Sequence, residues 1–104
     1  MPKRKRAERR EADRAQSKIA REVERLYALG PGGAPERPIP LASASEVEVA
    51  ARSTPCPLCH GELRVLEHTA EQIAGARLRV VTATCAHCGA PRVIYFKLPG
   101  AVLN

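Results

Sequence analysis

The sequence predicts a small metal-stabilised β domain with an N-terminal basic α-helix. Three observations predict it. All four cysteines fall in two Cys-x-x-Cys clusters, short β-rich segments surround those clusters, and positive charge is concentrated at the start of the chain. At 104 residues the chain is long enough for one domain with an appendage. Residues 1–29 hold ten basic side chains against five acidic ones, whereas residues 30–104 hold seven against six. The basic character therefore belongs to the N-terminal segment. A domain of about 60 residues buries too little apolar surface to be secure without staples, metal or oligomerisation. The cysteines are the available staples.

The helix is expected over residues 4–29, which are rich in Ala, Arg, Glu and Lys and free of Gly and Pro. "LGPGG" ends it, with Gly30 at the cap and Pro31 just beyond. Arg4–Glu8, Arg9–Asp13 and Lys18–Glu22 are spaced for weak i,i+4 pairs. Ile19, Val23, Leu26 and Tyr27 fall on one face. That face can pack on the chain's own domain, or on a partner or self-paired helix. A sustained coiled coil is not expected, because the stripe spans barely two turns. Residues 1–29 thus read as a basic amphipathic helical arm.

Residues 30–45 read as a Gly/Pro-rich linker. Three Gly and four Pro in the first eleven positions disfavour a helix or a central strand. "EVEVAAR" (46–52) is ambiguous between a strand, from alternation of Val47, Val49 and Ala51, and a helix capped by Ser45-x-x-Glu48. The strand is the expectation here. Clearer strands follow at 62–68, 77–84 and 92–98, the first two joined by a hairpin turning at Gly75. Leu63, Val65, Leu78, Val80, Ile94, Phe96 and Leu98 form the expected core.

Cys56, Cys59, Cys85 and Cys88 follow the pattern C-x2-C-x25-C-x2-C. A two-residue spacer lets one tight turn aim two sulfurs at a single point, and two such turns complete a tetrahedron about 2.3 Å from a Zn²⁺ ion. The intervening hairpin accounts for a separation longer than the usual range of about 15–20 residues. One structural zinc is therefore expected. Iron in the same ligand set, a thiol redox pair and disulfides remain as alternatives. Two copies of the motif, no following helix and no secretory signal weigh against the last two.

With these residues in view, the chain resembles the zinc-ribbon superfamily of the four-cysteine, two-knuckle type. Cys56-Pro57-Leu58-Cys59 and Cys85-Ala86-His87-Cys88-Gly89 carry the resemblance, with the strands around them. It covers roughly residues 46–98 and points to no individual member. It implies two knuckles, a three- to four-stranded antiparallel sheet with a metal at one end, and a zinc-ribbon domain over 46–104. Ribbons of this kind serve transcription factors, polymerase subunits, ribosomal proteins and interaction modules, so the fold does not select the function. Gly89 stands where a knuckle requires positive φ. At the first knuckle His60 takes that place, and His is among the few residues that tolerate a left-handed conformation. His60 and His87 are expected beside the cluster rather than as ligands, and His68 on the surface.

Four thiolates saturate zinc, and no general base or phosphate-binding loop accompanies them, so an enzyme is not expected. "KRKRAERR" supplies a second signal. Lys3, Arg4, Lys5, Arg6, Arg9 and Arg10 form a basic cluster suited to nucleic-acid phosphates or, more blandly, to solubility. The remainder of the chain has little net charge and few aromatics. Tyr95 is its only plausible base-stacking residue.

The leading expectation is a cytoplasmic, non-enzymatic zinc-binding protein whose basic arm, within residues 1–18, contacts nucleic acid or a nucleoprotein. The alternative is a protein-interaction adaptor using the sheet or the Ile19/Val23/Leu26/Tyr27 face. A thiol redox or zinc-release sensor is third. No apolar run is long enough to span a membrane, and no small-molecule substrate is expected.

Overall fold

The computed structural model describes residues 6–99. Helix α1 spans Arg6–Leu29, strand β1 Ile39–Pro40, helix α2 Val47–Ser53, and strands β2, β3 and β4 Leu63–Ile73, Ala76–Cys85 and Pro91–Lys97. The strands form one sheet in the order β1-β4-β3-β2. β2, β3 and β4 are antiparallel neighbours, whereas β1 runs parallel to β4 through Ile39↔Phe96 and Pro40↔Lys97. The sheet is therefore mixed, which corrects the expectation of a purely antiparallel one. Two residues, one of them proline and preceded by Pro38, carry no strand signature, and Pro40, lacking an N–H, is tolerated because β1 is an edge.

The Gly/Pro-rich stretch is folded against β4. Gly32, at φ +78°, donates to the Arg37 carbonyl at 2.6 Å and accepts from the Tyr95 N–H at 2.9 Å. A Cβ at this position would lie 2.7 Å from Ile39 Cδ1 and 3.1 Å from Ile94 Cγ2, so glycine is needed for both conformation and space. Arg37 donates to the Ala28 carbonyl at 2.7 Å and so satisfies one carbonyl at the end of α1.

The segment 46–52 is helical rather than extended, a second correction. Its start lies earlier than the Ser45-x-x-Glu48 register. Glu46 Oε1 accepts from the Ala42 and Ser43 N–H groups at 2.9 and 3.3 Å, tying down the turn that leads into α2. Helical spacing then buries Val47 and Ala51 completely and leaves Val49 55% exposed. A strand would have put all three on one face.

β2 and β3 meet in a two-residue turn with Ala74 and Gly75 both at positive φ, a primed geometry that follows the twist of the strands. A bulge between Val65 and Glu67 leaves Leu66 outside the register and 62% exposed. Beyond it every side chain changes face. His68 is thereby moved opposite Val81, under α2, with Nδ1 3.4 Å from Glu48 Oε2. Its side chain is only 14% exposed, which corrects its expected place on the surface.

The core lies between α2 and one face of the sheet. Leu63, Ile94 and Phe96 are buried there as expected, with Val65 and Leu98 packed at its margin. Val47, Ala51, Val81, Ala83, Cys56 and Cys85 complete it. Leu78 and Val80 are also buried, Val80 between its cross-strand partners Thr69 and Tyr95 on the opposite face of β3.

No residue of α1 is fully buried, yet its last turns are clamped to β4. Arg92, 4% exposed, donates to both carboxylate oxygens of Glu24 at 2.5 and 2.9 Å. The guanidinium stacks over the Tyr27 ring at 4.5 Å, and the Tyr27 hydroxyl donates to the Val93 carbonyl at 2.9 Å. Arg92 holds the Glu24 carboxyl below its ordinary value, while burial pushes the Tyr27 hydroxyl up to about 12. Of the expected apolar stripe, Tyr27 is engaged and Val23 half-buried, whereas Ile19 and Leu26 remain 63% and 57% exposed. Along the exposed helix the ion pair formed is Arg25–Glu22 at 2.5 Å. None of the helix pairs anticipated between described residues is formed.

Candidate metal centre

Two turns of matching design present the cysteines. After α2, the Thr54 N–H and hydroxyl cap the Ala51 and Ala50 carbonyls, and Pro55 prevents continuation of the helix. In the first turn Cys56 donates its N–H to the Gly61 carbonyl at 2.9 Å and receives the His60 N–H at 2.7 Å. In the second, Cys85 donates to the Ala90 carbonyl at 2.9 Å and receives the Gly89 N–H at 3.0 Å. His60, at φ 64°, does in the first turn what Gly89, at φ 78°, does in the second. The Ala86 N–H donates to the Glu62 carbonyl at 2.9 Å and joins the turns.

The four sulfurs consequently lie within 4.8 Å of one another. Cys56 Sγ stands 3.8 Å from Cys88 Sγ, and Cys59 Sγ 3.4 Å from Cys85 Sγ. Four sulfurs each about 2.3 Å from a tetrahedral Zn²⁺ are about 3.8 Å apart. The cysteines are arranged to coordinate one metal ion, with spacing consistent with zinc. Their burial is graded, from Cys56 in the core to Cys88 at the surface.

Backbone N–H groups point at the sulfurs and favour thiolate. The Cys88 N–H, then the His87 N–H, lie 3.4 and 3.3 Å from Cys85 Sγ and pull its thiol down to about 6, against burial. At Cys56, burial opposes ionisation, but the Cys59 and Leu58 N–H groups outweigh it and the thiol falls below its ordinary value. Cys59 behaves oppositely. The Gly61 N–H favours its thiolate, yet burial and the neighbouring sulfurs push it up to about 12. Such a cluster retains protons when alone, and a bound dication would neutralise the repulsion that retains them.

Gly61 is a site residue that sequence reasoning passed over. Its N–H approaches Cys59 Sγ at 3.4 Å. A Cβ there would lie 2.8 Å from His87 Cβ, 3.0 Å from Cys85 Sγ and 3.2 Å from Cys59 Sγ, so glycine keeps space between the turns. The signal available was the His-Gly pair directly after the first cluster. His60 and His87 are exposed and stand outside the sulfur group.

The remaining candidates lie apart from the cluster. Arg6, Arg9 and Arg10 are exposed on α1, while Lys3, Arg4 and Lys5 lie outside the described residues. Tyr95 is half-buried opposite Val80. Among the described residues no helix is long and apolar enough to cross a membrane. No protein-family model matches the chain, and neither the curated proteins nor the solved structures contain a match.

Proposed function

We propose that the chain is a non-enzymatic structural zinc protein of the zinc-ribbon type, whose basic helical arm contacts nucleic acid or a nucleoprotein. The observation that carries the metal half is the gathering of four sulfurs within 4.8 Å by two turns that backbone hydrogen bonds close at Cys56 and Cys85. Four thiolates would complete a zinc coordination sphere and leave no position for a reacting water, so the ion would serve folding rather than catalysis. The parallel β1 strand departs from the simplest ribbon without disturbing the two turns.

Support for the arm comes from its exposure and its anchoring. Arg6, Arg9, Arg10 and Arg14 lie on a helix with no buried residue, while Glu24 and Tyr27 hold its other end to the sheet. Charges so placed would meet phosphates with a salt-sensitive affinity. The test titrates DNA and RNA of mixed sequence against the zinc-loaded full chain and a version lacking residues 1–18. Affinity is expected to fall with added salt and to be lost on truncation. Undiminished binding by the truncated chain would defeat the nucleic-acid half of the proposal.

A second reading is favoured by exposed Ile19 and Leu26. There the free part of the helix face docks a protein, and the arginines serve solubility. Co-purification of a protein in high salt, abolished by Ile19→Asp, would select this reading.

A further inference from the structure

The end of the sheet remote from the cysteines holds a cavity of about 690 Å³ between the β2–β3 turn, the end of β4 and the stretch preceding β1. Its apolar lining includes Pro38, Ile73, Leu78 and Leu98. Leu78 is 2% exposed and backs the cavity from beneath, whereas Pro38, Ile73 and Leu98 are half-buried and offer the accessible apolar lining. Around this lining stand three cations, Arg77, Arg79 and Lys97, and one acid, Glu36. Among the described residues none of the three cations is paired with a carboxylate, whereas Arg92 and Arg25 are.

An apolar cavity of this size suits a small molecule, and an excess of unpaired cations selects the charge of its polar end. We propose that this cavity is a binding site for a small amphipathic anion, with an apolar body along Leu98 and the adjoining apolar lining and an anionic head at Arg77 and Arg79, which alternate onto the same face of β3. The shared chemistry covers carboxylates and phosphate monoesters. Arg79 is half-buried on the inner strand β3, whereas Arg77 is exposed, so Arg79 is the less hydrated of the two cations assigned to the head. The site is independent of the metal centre. β3 begins at Ala76 beside the cavity and ends at Cys85, a separation of about 30 Å along an extended strand.

The test titrates the zinc-loaded full chain with octanoate and octyl phosphate, using octanol and inorganic phosphate as controls. Calorimetry gives affinity, and methyl NMR gives location. Saturable one-to-one binding by at least one of the two anions is expected, with shifts at Ile73, Leu78 and Leu98; the stronger arm identifies the head group. Arg79→Gln should weaken binding about tenfold, the ordinary worth of a charge-assisted hydrogen bond, with bound zinc unchanged. Should that variant lose its fold, Arg77→Gln on the exposed rim of the same face gives the same readout, with a several-fold loss expected. Equal affinity for octanol, equal affinity for inorganic phosphate, shifts confined to other surfaces, or no saturable binding would each overturn the proposal.

Discussion

Replacing Glu24 by Gln keeps the shape of the clamp between α1 and β4 and removes its negative charge. Arg92 would then keep its stack on Tyr27 while its guanidinium, 3% exposed, faced a neutral amide. Hydrogen bonds to charged groups contribute about 1.5–3 kcal/mol each, and breaking a fully buried ion pair costs about 3–5 kcal/mol. Glu24 is 43% exposed, however, so water screens the pair, and exposed pairs contribute about 1 kcal/mol or less. The structure lies between these limits, and the expected loss is about 1–2 kcal/mol. For a domain of this size that lowers the melting temperature by about 5–10 °C. The assay is thermal unfolding of the zinc-loaded parent and variant at neutral pH, followed by circular dichroism. NMR contacts between the Tyr27 ring and the Arg92–Val93 strand should weaken in parallel. The sign of the pH dependence follows from the lowered Glu24 carboxyl. Its contribution is complete above the ordinary value of 4.5 and is lost as pH falls through the lower folded value. The difference between parent and variant should therefore be flat from neutral pH down to about pH 5 and should shrink only below that. A melting temperature within about 2 °C of the parent, with the ring contacts intact, would refute the claim that this pair anchors the arm.

If the four thiolates hold the proposed zinc, chelation should unfold the sheet cooperatively in far-ultraviolet and NMR spectra, since structural zinc contributes about 10–16 kcal/mol and small domains retain only about 5–15 in total. A metal-free chain that keeps its full spectrum would count against a structural ion. Gly61→Ala places a methyl 2.8 Å from His87 Cβ and 3.0 Å from Cys85 Sγ, and should lower zinc affinity in competition titrations by about 10–100-fold, as changes around metal ligands do. Val47→Asp buries a charge in the core and should cost about 3 kcal/mol or more, while Val49→Asp on the exposed face of α2 should stay within about 0.5 kcal/mol. Equal losses in denaturant melts would mean that the segment is not this helix.

Local rules made much of this protein readable in one dimension. A two-residue spacer constrains where two sulfurs can point, whatever surrounds them, so Cys56, Cys59, Cys85 and Cys88 were identifiable as a group from spacing. His60 at φ 64° and the turn at Gly75 were legible for the same reason, since both answer to the steric preferences of single residues. Alternation located β2, β3 and β4 and most of their inward side chains. The long helix followed from composition and from its Gly-Pro stop.

Other features depended on partners far away in the chain. The strand at Ile39–Pro40 exists because β4 offers an open edge, and its own two residues carry no such preference. Helix and strand were nearly balanced at 46–52, and a core that accepts Val47 and Ala51 together selected the helix. One bulged residue, Leu66, turned His68 inward in a way that alternation cannot anticipate. The clamp of Glu24 and Tyr27 on Arg92 spans 68 residues between its charged partners. Spacing and local preference therefore suffice for the four-cysteine cluster, the long helix and the three main strands, because these rest on covalent geometry and near-neighbour sterics. The mixed sheet, the clamp that holds α1 to β4 and the cavity at the far end come from the folded arrangement. Each of these is a property of surfaces that meet only once the chain has folded.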